Sequence, residues 1–175
     1  MFWFVWHYLP ETARLLNPAV VPLTTSHLCS ETLQTEDAVQ DVIPMLDYED
    51  GPAALDWLAQ VFGFQEVTRL LAPDGSLSHG EMTAGSGRIF FGTATPAYES
   101  PKHHREHCAR ARVWSAAPWV IDGVLVYVDD VDAHYERAKR AGATILSEPE
   151  DGPPARRYRV EDLEGHRWMF MQRDK

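Results

Sequence analysis

Three groups of side chains in this sequence could carry chemistry. His79 and Glu81 stand two apart in the run Leu77 to Thr83, so on a strand they share a face opposite Met82. A histidine beside a carboxylate can serve as an acid–base pair near neutral pH. The plainer reading, which we favour, is a partly exposed strand with two ordinary polar residues. His103, His104, His107 and Cys108 crowd a second stretch. In a helix His103 and His107 would lie at i and i+4 and could hold a metal. The glutamate of a protease motif is missing and Lys102 and Arg105 interleave, which favours a solvated charged loop or helix. Arg157 and Arg159 could grip an acidic ligand, although on an edge strand they would simply be solvated, the reading we favour.

The elements that must position these residues are clearest between Val124 and Leu146. Val124 to Val128 is a short apolar run rich in β-branched residues and closed by Asp129-Asp130, which predicts a strand. Asp130 suits an N-cap. Val131, Tyr135 and Ala138 make one apolar helix face, Gly142 suits the left-handed position after a helix, and Ala143 to Leu146 resumes as a strand. The same unit occurs upstream. Val42 to Tyr48 reads as a strand, Asp50-Gly51-Pro52 as cap and first turn, and Ala54, Leu55, Leu58, Val61 and Phe62 as an apolar stripe ended by Gly63. Gly63 and Gly142 stand 79 positions apart. The same shift carries Tyr48 onto Tyr127, Asp50 onto Asp129 and Arg88-Ile89-Phe90-Phe91 onto Arg167-Trp168-Met169-Phe170. A constant offset over separate elements predicts two copies of one βαβββ module.

Module one is expected over about 41–95, an insertion without a repeat counterpart over 96–119, and module two over 120–173. Residues 1–40 fall outside the repeat and are expected to be a loosely ordered extension. Their aromatic start, Met1 to Pro10, lacks the basic flank of a signal peptide. The formal charge of −10 opposes a nucleic-acid partner, which needs clustered lysine and arginine. Two distant cysteines do not make a disulfide framework, which points to a reducing cytoplasm. No run has the length that spans a bilayer. No phosphate-cradling glycine loop or nucleophile elbow occurs, and Gly85-Ser86-Gly87 reads as a hairpin turn.

Two such modules, with Tyr127-Val128-Asp129-Asp130-Val131-Asp132-Ala133 entering the second helix, resemble the vicinal oxygen chelate superfamily of glyoxalases, bleomycin-resistance proteins and extradiol dioxygenases. Asp162-Leu163-Glu164-Gly165-His166-Arg167-Trp168 resembles its loop before the last strand, with Leu163 where proline is usual, and Ser78-His79-Gly80-Glu81-Met82 leans toward the bacterial glyoxalase-like branch. The resemblance implies an α+β fold whose two modules form a glyoxalase-like eight-stranded cup. It also implies metal ligands on the first and last strand of each module. Those positions fall here on Pro44, Phe90, Gly123 and Met169, none of which supplies imidazole or carboxylate.

The expectation is therefore a fold without the family's catalytic metal and without another cofactor. Strand alternation is expected to send Ile89, Phe91, Trp168 and Phe170 toward the helices. Facing the cup should be Leu46, Tyr48, Phe90, Leu125, Tyr127 and Met169, with Arg88 and Arg167 near the strand ends and Trp114 and Trp119 over its mouth or at a dimer contact. The function read from this is metal-independent binding of an apolar or aromatic small molecule by a cytoplasmic homodimer. The alternative is a glyoxalase-like lyase or isomerase using His79 and Glu81.

Overall fold

The computed structural model describes residue 40, residues 42–119 and residues 123–173. The expected N-terminal extension lies almost wholly outside the described residues. In chain order the elements are β1 (Met45–Tyr48), α1 (Gly51–Phe62), β2 (Gln65–Leu71), β3 (Leu77–Ala84) and β4 (Gly87–Thr93). After the insertion's helices α2 (Pro101–His107) and α3 (Ala109–Ser115) come β5 (Gly123–Val128), α4 (Val131–Arg140), β6 (Thr144–Glu150), β7 (Arg157–Glu161) and β8 (Arg167–Gln172). They form two separate four-stranded sheets, ordered β1-β4-β3-β2 and β5-β8-β7-β6. In each sheet the first strand runs parallel to the last, and the other pairs are antiparallel. The architecture is the α+β cup, open and not closed into a barrel.

Local chemistry sets the helix ends. Asp50 accepts a hydrogen bond from Ala53 N at 3.0 Å and Asp130 one from Ala133 N at 2.9 Å, satisfying N–H groups that a helix start leaves unpaired. Gly63 and Gly142 end the helices with φ of 76° and 85°, a region that costs other residues energy. The buried stripe of α1 includes Leu55, Leu58 and Phe62, each contributing about 1.5–3 kcal/mol by leaving water. Phe62 does more than cover its own sheet. Its ring lies 4.9 Å from Phe170 and 5.7 Å from Trp168, so the first module's helix packs on the second module's last strand and the two share one core.

The repeat is real, but its offset is not constant. The turn glycines and the last strands keep 79, whereas the two caps, Asp50 and Asp130, stand 80 apart. Met45 pairs with Phe90 as Leu125 pairs with Met169, so β1 and β5 are also related by 80. The cause is an interval from cap to glycine one residue shorter around α4. A slip of one residue moves a strand's whole side-chain set to the other face. Leu46 and Tyr48, expected in the cup, therefore point into the core, where Tyr48 is 0% exposed. Met45 and Asp47 take the cup face instead. A second correction concerns β7. It lies between β8 and β6, not at an edge, and Arg159 on it donates to Glu150 Oε1 at 2.8 Å.

Gly51 illustrates how tightly module one closes. A Cβ there would lie 2.6 Å from Leu77 Cβ and 2.7 Å from Thr93 Oγ1. The same threonine oxygen accepts hydrogen bonds from Gly51 N and Leu77 N, at 3.2 and 2.9 Å. Gly51→Ala is expected to lower stability by about 1–3 kcal/mol, as overpacking does. Urea denaturation would show it, and an unchanged midpoint would contradict this packing.

Candidate functional site

The cup face of module one is set by sheet register. Glu81 pairs with Phe90 across β3 and β4, and Leu70 with His79 across β2 and β3. His79 and Glu81 do share the face opposite buried Met82, as their spacing requires. His79 Nε2 lies 2.9 Å from Glu81 Oε1, and Arg88 comes within 3.5 Å of the other carboxylate oxygen. The His79 ring stands edge-on to Phe90, 5.0 Å between centroids. Exposed Met45 and Leu70 flank them. The result is an imidazole–carboxylate–guanidinium chain resting on an apolar floor. Such a chain can hold a polar group of a ligand or move a proton to one.

The cup face of module two is also apolar. Leu125 and Met169 are register partners, as are Met169 and Arg159. With Trp119, Arg167 and Pro118 they line a cavity of about 220 Å³. Trp119 is 73% exposed at its mouth, and Tyr127 is half exposed further along β5. Trp114, by contrast, lies exposed on α3 and does not line this cavity. Arg167 does not stand ready for a ligand. It is buried, donates to Glu161 Oε1 at 3.2 Å, and its remaining N–H groups reach Ala117 O and Ser115 O at 2.5 and 2.7 Å. Glu161 is also held by a two-pronged bond from Arg105 at 2.7 and 2.9 Å. A planar guanidinium satisfies several acceptors at once, and here Arg167 moors the end of α3 to the sheet. That mooring positions the segment carrying Trp119.

The loop after β7, which carries the family-like motif, turns out to lock the modules together. Asp162 Oδ2 accepts from Tyr48 Oη at 2.6 Å and from Trp168 Nε1 at 3.0 Å, while Oδ1 accepts from Glu164 N and His166 N. Glu164 accepts from the backbone N–H groups of Glu49 and Asp50 at 2.8 and 3.1 Å, just ahead of α1, where negative charge suits the helix dipole. Burial, followed by the neighbouring Asp162, holds the Tyr48 phenol well above its ordinary range. Sequence reasoning missed these roles. The available clue was the density of carboxylates in a loop between two strands whose next residues are apolar.

The four positions to which the resemblance points for a cup metal carry Pro44, Phe90, Gly123 and Met169; the register of β1 would move the first of them to Ile43. None bears an imidazole or carboxylate. At Gly123 a Cβ would lie 2.9 Å from Arg167 O, so a histidine there would require the strands to part. The family's metal does not fit these residues. His166, one residue from the last strand, spends its Nε2 near Asp47 O at 3.1 Å and its ring against Tyr48 at 4.6 Å.

Comparison with known proteins agrees with this geometry. The family model of the glyoxalase/bleomycin resistance protein/dioxygenase superfamily matches residues 45–170. An uncharacterized protein of Mycobacterium bovis is 30% identical over 134 residues, covering 74% of this chain and 80% of that protein. Among solved structures, TioX from Micromonospora sp. ML1 is 32% identical with a TM-score of 0.57, over 78% of this chain and 98% of TioX. TnmS3, an antibiotic-binding protein from Streptomyces sp. CB03234, shares the fold at 16% identity and a TM-score of 0.52, over 78% of this chain and 98% of its own. So does a mutant of the fosfomycin resistance protein FosX from Listeria monocytogenes, complexed with Mn(II) and 1S,2S-dihydroxypropylphosphonic acid. It is 14% identical with a TM-score of 0.52, over 75% of this chain and 90% of FosX. Two βαβββ modules, the loop that joins them and the matched span together place this chain in the glyoxalase/bleomycin resistance protein/dioxygenase superfamily.

Proposed function

We propose that this chain binds an apolar or aromatic small molecule in its cup without a metal there, as a cytoplasmic homodimer. The observation that carries the reading is the apolar lining left open on both cup faces, where the family's metal positions offer no imidazole or carboxylate. Met45, Leu70 and Phe90 floor one face; Leu125, Tyr127, Met169 and Trp119 floor the other. Apolar surface with a few polar groups is how small-molecule sites are built, and exposed apolar patches of this kind also mark interfaces. The module-one face of one copy covers the module-two face of another. A two-fold dimer of this kind forms two equivalent sites. An antibiotic-binding protein and a fosfomycin resistance protein share this fold, which supports its general use for small molecules.

A thermal-shift and calorimetric screen of aromatic and amphipathic compounds, glycopeptide-type drugs among them, tests the reading. The expected result is saturable binding, one ligand per site, by a protein that sediments as a dimer. Phe90→Ala and Met169→Ala should each weaken binding about tenfold, the equivalent of roughly 1.4 kcal/mol. A metal bound stoichiometrically and lost on changing cup residues would overturn the proposal, as would a screen in which no compound shifts melting. The 2.9 Å contact between His79 and Glu81 favours one second reading, a lyase or isomerase with this acid–base pair. His79→Ala would then lower turnover by about 10²-fold or more while leaving ligand affinity intact.

A further inference from the structure

Outside the cup, three side chains of the insertion bring their donor atoms together. Glu99 stands in the loop leading into α2, and His104 and His107 lie one turn apart on that helix. Glu99 Oε2 is 3.3 Å from His104 Nδ1 and 3.1 Å from His107 Nε2. The three donor atoms all lie within 4.8 Å of one another, and among the described residues this is the one such convergence of three His, Cys, Asp or Glu donors. The two rings are 5.5 Å apart and nearly perpendicular. We infer that Glu99, His104 and His107 form a binding site for a divalent transition-metal ion of the zinc type, separate from the cup.

Distance and chemistry both support this. Ligands held about 2.0–2.2 Å from a tetrahedral zinc stand roughly 3.3 Å from one another, which is already the spacing of both imidazole nitrogens from the carboxylate oxygen. Two imidazoles with one carboxylate select zinc, nickel, cobalt or copper over magnesium and calcium, which prefer oxygen donors. The neighbouring cations do not compete for the site. Arg105 is turned to Glu161, and Lys102 reaches Leu163 O at 3.3 Å. His103, which spacing alone pairs with His107, faces away and is held by Glu49 Oε2 at 2.7 Å. The pairing that converges is thus i to i+3, His104 with His107. All three ligands are about half exposed, so an ion can reach them without opening the fold, and water can complete the coordination. An ion there ties the Glu99 loop to α2, which Arg105 and Glu161 already moor to module two beside Arg167.

The test is calorimetric titration of the full chain with Zn²⁺ near neutral pH, repeated with Co²⁺ to read visible absorption. The expected result is one equivalent bound in the micromolar range, with a rise in Tm. His104→Ala with His107→Ala should weaken it by well over the roughly tenfold that even supporting groups cost, and Glu99→Gln should also weaken it. His103→Ala should leave it unchanged. Residues 1–39 hold His7, His27 and Cys29, so the variants, and not stoichiometry alone, assign the ion. Zinc affinity equal in the double variant and the wild type would overturn the inference, and so would the lack of binding below millimolar Zn²⁺. Neither outcome depends on ligand binding in the cup.

Discussion

Asp162→Ala is expected to cost about 3–5 kcal/mol of folding stability. This carboxylate is buried between the modules and answers four donors: the Tyr48 hydroxyl, the Trp168 indole N–H, and the backbone N–H groups of Glu164 and His166. Removing it leaves two of those donors, on Tyr48 and Trp168, inside a core that admits little water, since both residues are 0–1% exposed. An orphaned buried polar group costs about 1–3 kcal/mol, and the two backbone groups add to that loss. Tyr48→Phe removes one donor and leaves Asp162 three others, so it should cost only about 1 kcal/mol. The contrast between the two substitutions is the measurement, by urea denaturation followed through tryptophan fluorescence. Similar losses from both would mean that the network is not shared through Asp162. Because the same loop also holds the start of α1 through Glu164, the alanine variant should unfold both modules in one transition.

Acidification is expected to destabilise the fold through His134. Its ring lies 3.9 Å from Phe170, with Nδ1 2.7 Å from Tyr158 Oη and Nε2 3.1 Å from Phe62 O. The neutral tautomer with hydrogen on Nε2 satisfies both neighbours, donating to the carbonyl and accepting from the hydroxyl. Burial first, and then the Arg137 guanidinium that shares the Phe62 carbonyl, push its pKa down from 6.5 to about 4. Burial also raises the Tyr158 phenol, which therefore stays protonated as the donor. Below pH 6.5 the unfolded chain takes up a proton that the native ring refuses. The contribution is thus complete above about pH 6.5, falls as pH drops, and is gone below about pH 4. In full it amounts to roughly 3 kcal/mol, of which about 2 kcal/mol falls between pH 7 and 4.5. Carboxylates titrate in the same range, so the informative quantity is the difference between wild type and His134→Gln. A variant whose stability falls with acid as steeply as the wild type would remove His134 from this role.

Punctuation was the most legible part of the sequence. Asp50 and Asp130 as caps, Gly63 and Gly142 as helix ends, and the turn at Gly85-Ser86 are decided within a few residues, and each occurs where its chemistry placed it. The face presented by β1 was not legible, because its register is fixed by parallel pairing with β4, some 45 residues away. Tyr48 went to the wrong face for that reason. The position of β7 inside its sheet was hidden likewise, since β8 inserts between β5 and β7. Arg167 looked like a ligand-binding arginine because its acceptors belong to an insertion with no counterpart in the repeat. His134 could have been found. It stands at i+3 from Val131 and four before Ala138, on the buried stripe of α4.

The two halves differ in the residues that line them as well as in the interval from cap to glycine, and the difference has an effect beyond side-chain orientation. Two identical halves would offer a bound molecule the same surroundings at either end, and it could sit in either direction. Here an imidazole beside a carboxylate marks one wall, while an indole and a phenol mark the other. A guest held between two such walls, as proposed above, would have a head and a tail, and even a palindromic molecule would be desymmetrised on entry. A hybrid chain made by repeating either half would restore that ambiguity and lose the mixed aromatic core in which Phe62 meets Trp168 and Phe170.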